Sequence, residues 1–316
     1  MNRKLSILSA LLLAIIFVPD AYSQTPKTAE EFNNRGLDRQ RNGDLDGAID
    51  DYTKAISLKP RPSTLATLYN NRANAFMSKN NFDGAVADYS KAIELQPSEF
   101  ENYYNRGMAL QSKRSFDAAI ADFSKAIELA PRFAQAYSDR GNARSSNGDV
   151  EGAIADYTRA IGLRPKASEF YYNRGIVLQS KGSQQEAIQD FTMALSLFPD
   201  FFLANVNRAV ARLETGDLDG AIADYDRALE FKKDDASIYY GRATVRQKKK
   251  DLDGALADYT RVIELDPRHA LAYANRGVIK GIQKKSAEAR IDFEKAFLLD
   301  PSLKSAYREF SERQRP

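Results

Sequence analysis

Proline recurs at Pro97, Pro131, Pro165 and Pro199, each 34 residues after the last, and the series resumes at Pro267 and Pro301 after one slot that holds Lys233. A fixed period of this length marks a chain built from copies of one supersecondary unit, none of which can bury its apolar face alone. Only the step from Pro60 to Pro97 is longer, by three residues. Within each period, segments such as AIADFSKAIEL (residues 119–129) space their apolar residues at three- and four-residue steps, the stripe of an amphipathic helix. The expected class is therefore all-α, with helix pairs stacked in series.

Composition removes most chemistry. The balance of 43% apolar and 28% charged residues over 316 positions is that of a packed, soluble chain. A net charge of +3 arises from 46 basic and 43 acidic residues with no run of like charge that would track a phosphate backbone, so nucleic acid is not an expected partner. There is no cysteine, and the one histidine, His269, sits between two periods. Disulfides, Cys/His zinc sites and Cys/His nucleophiles are thereby excluded, no phosphate loop or metal cluster stands out, and neither a cofactor nor an enzymatic activity is expected.

The first 23 residues differ from the rest. Arg3 and Lys4 precede the apolar run LSILSALLLAIIFV, and Pro19 then precedes the small residues Ala21 and Ser23. This is the three-part pattern of a secretory signal peptide, with cleavage expected between Ser23 and Gln24. A retained membrane anchor is the alternative, although the run is short for a span of roughly 20 residues. The expected location is periplasmic or secreted, with no membrane span after cleavage. The expected organisation is a signal at 1–23, a linker at 24–28, repeats over 29–301 and a capping helix and tail at 302–316.

Each period opens near an aromatic (Phe32, Tyr69, Tyr103, Tyr137, Tyr171, Tyr239, Tyr273, with Asn205 the exception) and carries Gly or Ala four residues later. Its second half holds Ala, three residues, then Tyr or Phe, as in Ala48/Tyr52, Ala119/Phe123, Ala187/Phe191 and Ala289/Phe293, in all eight copies. This resembles the tetratricopeptide repeat family over residues 29–301. The resemblance implies a right-handed superhelical solenoid of eight helix pairs, closed by the C-terminal capping helix. Between the halves, Asp46, Asp83, Asp117, Asp219 and Asp253 stand where helix N-caps are needed, and no bidentate Glu completes a calcium loop.

At position 7, where the family usually has an aliphatic residue, every copy has arginine: Arg35, Arg72, Arg106, Arg140, Arg174, Arg208, Arg242 and Arg276. An aspartate follows each by 16 residues, giving among others the pairs Arg106/Asp122, Arg140/Asp156 and Arg174/Asp190. A guanidinium in a helix interface requires a partner, so an internal ladder of ion pairs within or between repeats is expected. Arginines lining a groove to grip carboxylates or phosphates are the other reading. Position 7 lies on the far side of the helical wheel from the stripe formed by positions 2, 5, 9 and 12, on the packing side.

In this family the first helices line the concave surface, so positions 2, 5, 6, 9, 12 and 13 are the ones a partner meets. Position 6 is Asn34, Asn71, Asn105, Asn173, Asn207 and Asn275, with Asp139 and Gly241 in the remaining copies. Amides there suit the backbone of an extended peptide, and the series resembles the asparagine ladder in the repeat domain of O-linked N-acetylglucosamine transferase. Local bonding between helices is the alternative. Positions 5 and 12 alternate, with Tyr104/Gln111, Tyr172/Gln179 and Tyr240/Gln247 in copies 3, 5 and 7. This 68-residue period reflects either paired binding sites or growth of the gene by doubling, and the tyrosines are the candidate anchors. Leu203, Val206, Val210 and Leu213, with Leu271, Val278 and Ile282, suggest a more apolar end to the groove. Position 5 is never Lys or Arg, so the carboxylate clamp that grips chaperone tails is absent. The function expected is a non-enzymatic scaffold that binds an extended or helical segment of a protein partner. A spacer or self-assembling element with an idle groove, or an accessory subunit of an envelope enzyme complex, are the alternatives.

Overall fold

The computed structural model describes residues 26–312. The expected signal segment, its cleavage site and residues 313–316 lie outside them. By contact the chain divides into two compact bodies, one ending at Pro97 and the other beginning at Ser98. The N-terminal body holds α1 (Ala29–Arg41), α2 (Leu45–Ser57), α3 (Pro62–Ser78) and α4 (Phe82–Leu95). The C-terminal body continues with α5 (Phe100–Ser112), α6 (Phe116–Leu129), α7 (Ala134–Ser146), α8 (Val150–Leu163), α9 (Ser168–Ser180) and α10 (Gln184–Leu197). It is completed by α11 (Phe202–Thr215), α12 (Leu218–Phe231), α13 (Ala236–Lys248), α14 (Leu252–Leu265), α15 (Ala270–Ile282), α16 (Ser286–Leu299), α17 (Leu303–Ala306) and α18 (Arg308–Glu312). The three extra residues before Pro97 lengthen α3, whose first residue, Pro62, supplies a ring already set for a first helical turn.

Each repeat is a helix pair folded back on itself. Arg35 meets Asp51 while Arg39 meets the Gly47 carbonyl, so the two helices of the first repeat run in opposite directions. The turn between them needs one residue with positive φ. Gly43, Gly148, Gly182 and Gly216 supply it without strain, and Asn80, Arg114, Lys250 and Lys284 adopt it in the other repeats. The small residue of the first helix and the aromatic of the second meet at the centre: a Cβ added to Gly107 would stand 2.8 Å from Phe123, and one added to Gly175 the same distance from Phe191. Ala119, Phe123, Ala187 and Phe191 are fully buried. Second helices pack on the first helix of the following repeat within each body, as in a tetratricopeptide-repeat solenoid. In the C-terminal body α5 also touches α7, α7 touches α9, α9 touches α11 and α11 touches α13, and no two second helices contact each other to that extent.

The helix N-caps fall two residues earlier than the sequence suggests. Asp44, Asn81, Asp149, Asp217 and Asp251 are the caps, accepting from the N–H of Gly47, Gly84, Gly152, Gly220 and Gly254. The intervening apolar residue, such as Leu218 or Leu252, already packs on the core and is therefore helical. Asp46, Asp83, Asp117, Asp219 and Asp253 sit in the first turn instead, where their charge opposes the helix dipole favourably. Several reach the following repeat: Asn147 donates to Asp117 at 2.9 Å, Gln283 to Asp253 at 2.8 Å, and Lys79 and Lys249 pair with Asp46 and Asp219. The tail is likewise two short helices, α17 and α18, where one was expected. They part at Tyr307, whose hydroxyl donates to Asn275 at 2.6 Å, while Leu303 is buried against Ala274 and Ala296.

All eight position-7 arginines form two-pronged ion pairs with the aspartate 16 residues on. Arg106 Nε and Nη2 donate to the two oxygens of Asp122 at 2.7 Å each, and Arg140 and Arg174 grip Asp156 and Asp190 in the same way. The aspartates are buried. The remaining nitrogen, Nη1, turns to the second helix of the preceding repeat: Arg140 donates to Ser124 at 2.9 Å, Arg174 to Thr158 at 2.9 Å, Arg208 to Thr192 at 3.0 Å and Arg276 to Thr260 at 3.3 Å. Arg242 reaches Asp226 at 2.5 Å. The aromatic three residues before each arginine lies under the guanidinium, 5.5 Å away for Phe32 and Tyr273, except in the sixth repeat, where Asn205 stands in its place. One cation therefore ties three helices and two repeats together.

In five repeats a second cation, four residues after the arginine, joins the same aspartate. It is Arg39, Arg144, Arg212, Arg246 or Lys280. The fifth repeat has Leu178 there, so Asp190 depends on Arg174 alone. Stranding a buried carboxylate costs about 3–5 kcal/mol. R174M is therefore expected to destabilise by about that amount in urea unfolding, and R140M by clearly less, because Arg144 still neutralises Asp156. Equal losses would show that the second cation carries no load.

Candidate functional site

The candidate face is the side of the first helices that does not pack on their own second helices. Its tyrosines, expected as anchors, are partly consumed by the fold. Tyr104 OH donates to Asp139 at 2.7 Å, and its ring packs on Phe123 and Phe133. Tyr172 OH accepts from Asn207 Nδ2 at 3.0 Å, and Tyr240 OH accepts from Asn275 Nδ2 at 3.2 Å. Tyr240 also stacks on His269, whose Nδ1 caps α15 by accepting from the Ala272 N–H. In the N-terminal body Asn33 accepts from Asn71 in the same register. The 68-residue period thus has a physical content: position 5 of each odd repeat is bonded to position 6 of the even repeat that follows.

The asparagine series divides accordingly. Asn71, Asn207 and Asn275 are spent in these rungs. Asn34, Asn105 and Asn173, in the odd repeats, make no side-chain hydrogen bond among the described residues; Asn34 is exposed and the other two are half-buried. Gly241 replaces asparagine for a steric reason, since a Cβ there would stand 2.6 Å from the Tyr225 ring and hydroxyl.

The glutamines at position 12 face the aromatic of their own second helix. Gln247 accepts from Tyr259 OH at 2.8 Å, and Gln40 from Tyr52 OH at 3.0 Å. In the third and fifth repeats that aromatic is Phe123 or Phe191, so the donor is missing. Gln179 makes only a 3.5 Å contact to the Asn207 carbonyl, and the Gln111 carbonyl oxygen is buried without any partner. Tyr240, Thr244, Gln247, Lys248, Tyr259 and Asn275 together line an open depression of about 430 Å³ between α13 and α15. Burial pushes the Tyr259 phenol up to about 12.

Asp139 takes the rung position of the fourth repeat, and its role was not apparent in the sequence. It is 7% exposed and accepts from Tyr104 OH, from Gln135 Nε2 at 3.3 Å and from Asn142 Nδ2 at 3.3 Å, all neutral donors. Burial raises its carboxyl, against the lowering effect of these hydrogen bonds. The apolar end of the face also splits. Leu203 and Leu271 are about two-fifths exposed and Ile282 more so, whereas Val206, Val210 and Leu213 pack around Tyr225 and Val278 is buried. Among the described residues no group of three or more His, Cys, Asp or Glu is placed to hold a metal ion, and no helix is long and apolar enough to cross a membrane.

Family models described as TPR repeat match residues 73–113, 141–182 and 211–250, and models described as tetratricopeptide repeat match 101–133, 168–201 and 240–302. The chain belongs to the tetratricopeptide repeat family. No curated protein matches it. Among solved structures it is similar to the C-terminal part of a TPR repeat-containing protein from Cytophaga hutchinsonii, at 20% identity and TM-score 0.63, covering 76% of this chain and 97% of that one. It is also similar to YrrB, described as a TPR protein with an unusual peptide-binding site, at 24% identity and TM-score 0.53, covering 58% and 95%. MamA aligns at 27% identity and TM-score 0.50, covering 53% and 92%.

The orphaned Gln111 oxygen sets a direct test. F123Y places a hydroxyl where Tyr52 and Tyr259 carry theirs and is expected to stabilise the C-terminal body by about 1 kcal/mol in urea unfolding. A loss of stability would mean that Gln111 is satisfied in some other way in solution.

Proposed function

We propose that this chain is a non-enzymatic interaction scaffold that holds a segment of a partner protein on the first-helix face of its C-terminal body. The observation that carries the reading is the division of polar groups on that face. Every position-7 arginine is consumed internally, while the amides of Asn105 and Asn173 are left without a side-chain bond among the described residues, on the first helices that also carry the exposed side chains of Ile176, Leu203 and Leu271. Unbonded amides meet a peptide backbone, and neighbouring aliphatic side chains meet its side chains, which suits an extended or amphipathic segment. The closer approach of successive first helices supports the same side as the inner one. The sequence of residues 1–23 supports export, with the scaffold working in the periplasm or outside the cell.

A photo-crosslinking amino acid introduced in turn at Ile176, Leu203 and Leu271, which are 39%, 42% and 40% exposed, is expected to give partner adducts in cells. Met193 and Leu298, on second helices and 44% and 75% exposed, serve as controls and are expected to give none. Adducts confined to the controls, or found nowhere, would overturn the reading. N-terminal sequencing of the mature protein is expected to begin at Gln24, and a retained Met1 would count against export by cleavage.

A further inference from the structure

Asp139 is an anomaly among the rungs. Its counterparts Asn71, Asn207 and Asn275 make the same link to the preceding repeat with a neutral amide, so the link itself does not require a charge. Yet Asp139 is buried, only 7% exposed, and among the described residues no ion pair reaches it: its partners are Tyr104, Gln135 and Asn142. The nearby arginines are committed elsewhere, Arg140 and Arg144 both to Asp156 and Arg106 to Asp122. A buried carboxylate without a counter-charge is costly, and that cost is recovered when a cation arrives.

The surroundings suit such an arrival. Only the Tyr104 bond is short; Asn142 and Gln135 approach no closer than 3.3 Å, and Gln135, one turn before Asp139 on α7, is only half-buried. Two turns along α5 from Tyr104, on the same stripe, the Gln111 carbonyl oxygen is a buried acceptor without a donor. The charged side chains on this stretch of the face, Glu101 and Asp139, are both acidic. The third and fourth repeats therefore offer a carboxylate held only by neutral donors and one acceptor, the Gln111 oxygen, that has no donor at all.

We infer that Asp139 is a specificity-determining residue that selects a lysine or arginine side chain on the partner segment as it crosses α5 and α7. This rests on the scaffold reading above and adds to it the chemistry of one residue of the ligand. The bond is a charge-assisted one to a carboxylate already stripped of water, so it discriminates strongly between a cationic side chain and a neutral one of similar length.

The test uses the mature chain and short degenerate peptide libraries that differ only in one central position, fixed as arginine, lysine, glutamine or glutamate. Wild type is expected to retain the arginine and lysine libraries about tenfold or more over the glutamine library. D139N is expected to lose that preference while melting no lower than wild type, because Asn207 and Asn275 show that asparagine is accommodated against tyrosine. Retention of all four libraries alike by wild type would overturn the role of Asp139 and leave the scaffold reading standing. Retention of none would overturn both. If D139N fails to fold, E101Q serves instead: a cationic preference kept in E101Q is expected and one lost there would overturn the assignment, as would a preference that survives intact in a folded D139N.

Discussion

The fold depends on what is done with the guanidinium at position 7. A charge placed between packed helices is tolerable only when it is paired and hydrogen-bonded, and here the pairing is two-pronged in every repeat. Two nitrogens grip the aspartate of the same repeat and close the helix hairpin. In most repeats whose links are described, the third reaches a Ser or Thr on the repeat before. The aromatic three residues earlier lies under the flat face of the cation. Because burial makes each partner indispensable to the other, the spacing between arginine and aspartate cannot drift. That rigidity keeps the two helices of every repeat in register, and the placement of the outward-facing side chains follows from it.

Much of this was legible in the sequence. An arginine and an aspartate 16 residues apart in all eight copies left few alternatives to a pair, and the recurrence of small and aromatic residues fixed the helix hairpin. The backward link to Ser124 or Thr158 was not legible, because hydroxyl residues are common on exposed helix positions and only the structure brings one to the free nitrogen. The N-caps were misplaced by two residues for a related reason: several repeats carry Asp at both candidate positions, as in Asp44 and Asp46, and only the packing of the leucine between them decides which is inside the helix. The tyrosines lie on the first helices, as the repeat pattern implies, but a helical wheel gives a direction and not a distance. Whether the next repeat comes close enough to bond Tyr104 or Tyr172 depends on how near successive first helices lie.

The same distance sorts the candidate face into structural and available groups. Even-repeat position-6 residues are drawn into rungs, and odd-repeat asparagines are left over. The alternation that reads as a relic of duplication therefore has a mechanical consequence, since available amides recur in the first, third and fifth repeats. Asp139 breaks the pattern by charge alone, and Gln111 breaks it by losing the hydroxyl that satisfies its counterparts. Both departures fall on neighbouring repeats, where the fold leaves acceptors in excess of donors.

The direction of the arginine links also gives the array a polarity in time. From the fourth repeat on, each guanidinium looks back to a residue made earlier in the chain and forward to one made about half a repeat later. As the chain emerges amino end first, a new repeat meets its docking hydroxyl already in place and completes itself within its own length. Assembly from the opposite end would present each arginine to an acceptor still to come. Each repeat added on the carboxyl side therefore finds its backward acceptor and its own aspartate without waiting for the repeat after it.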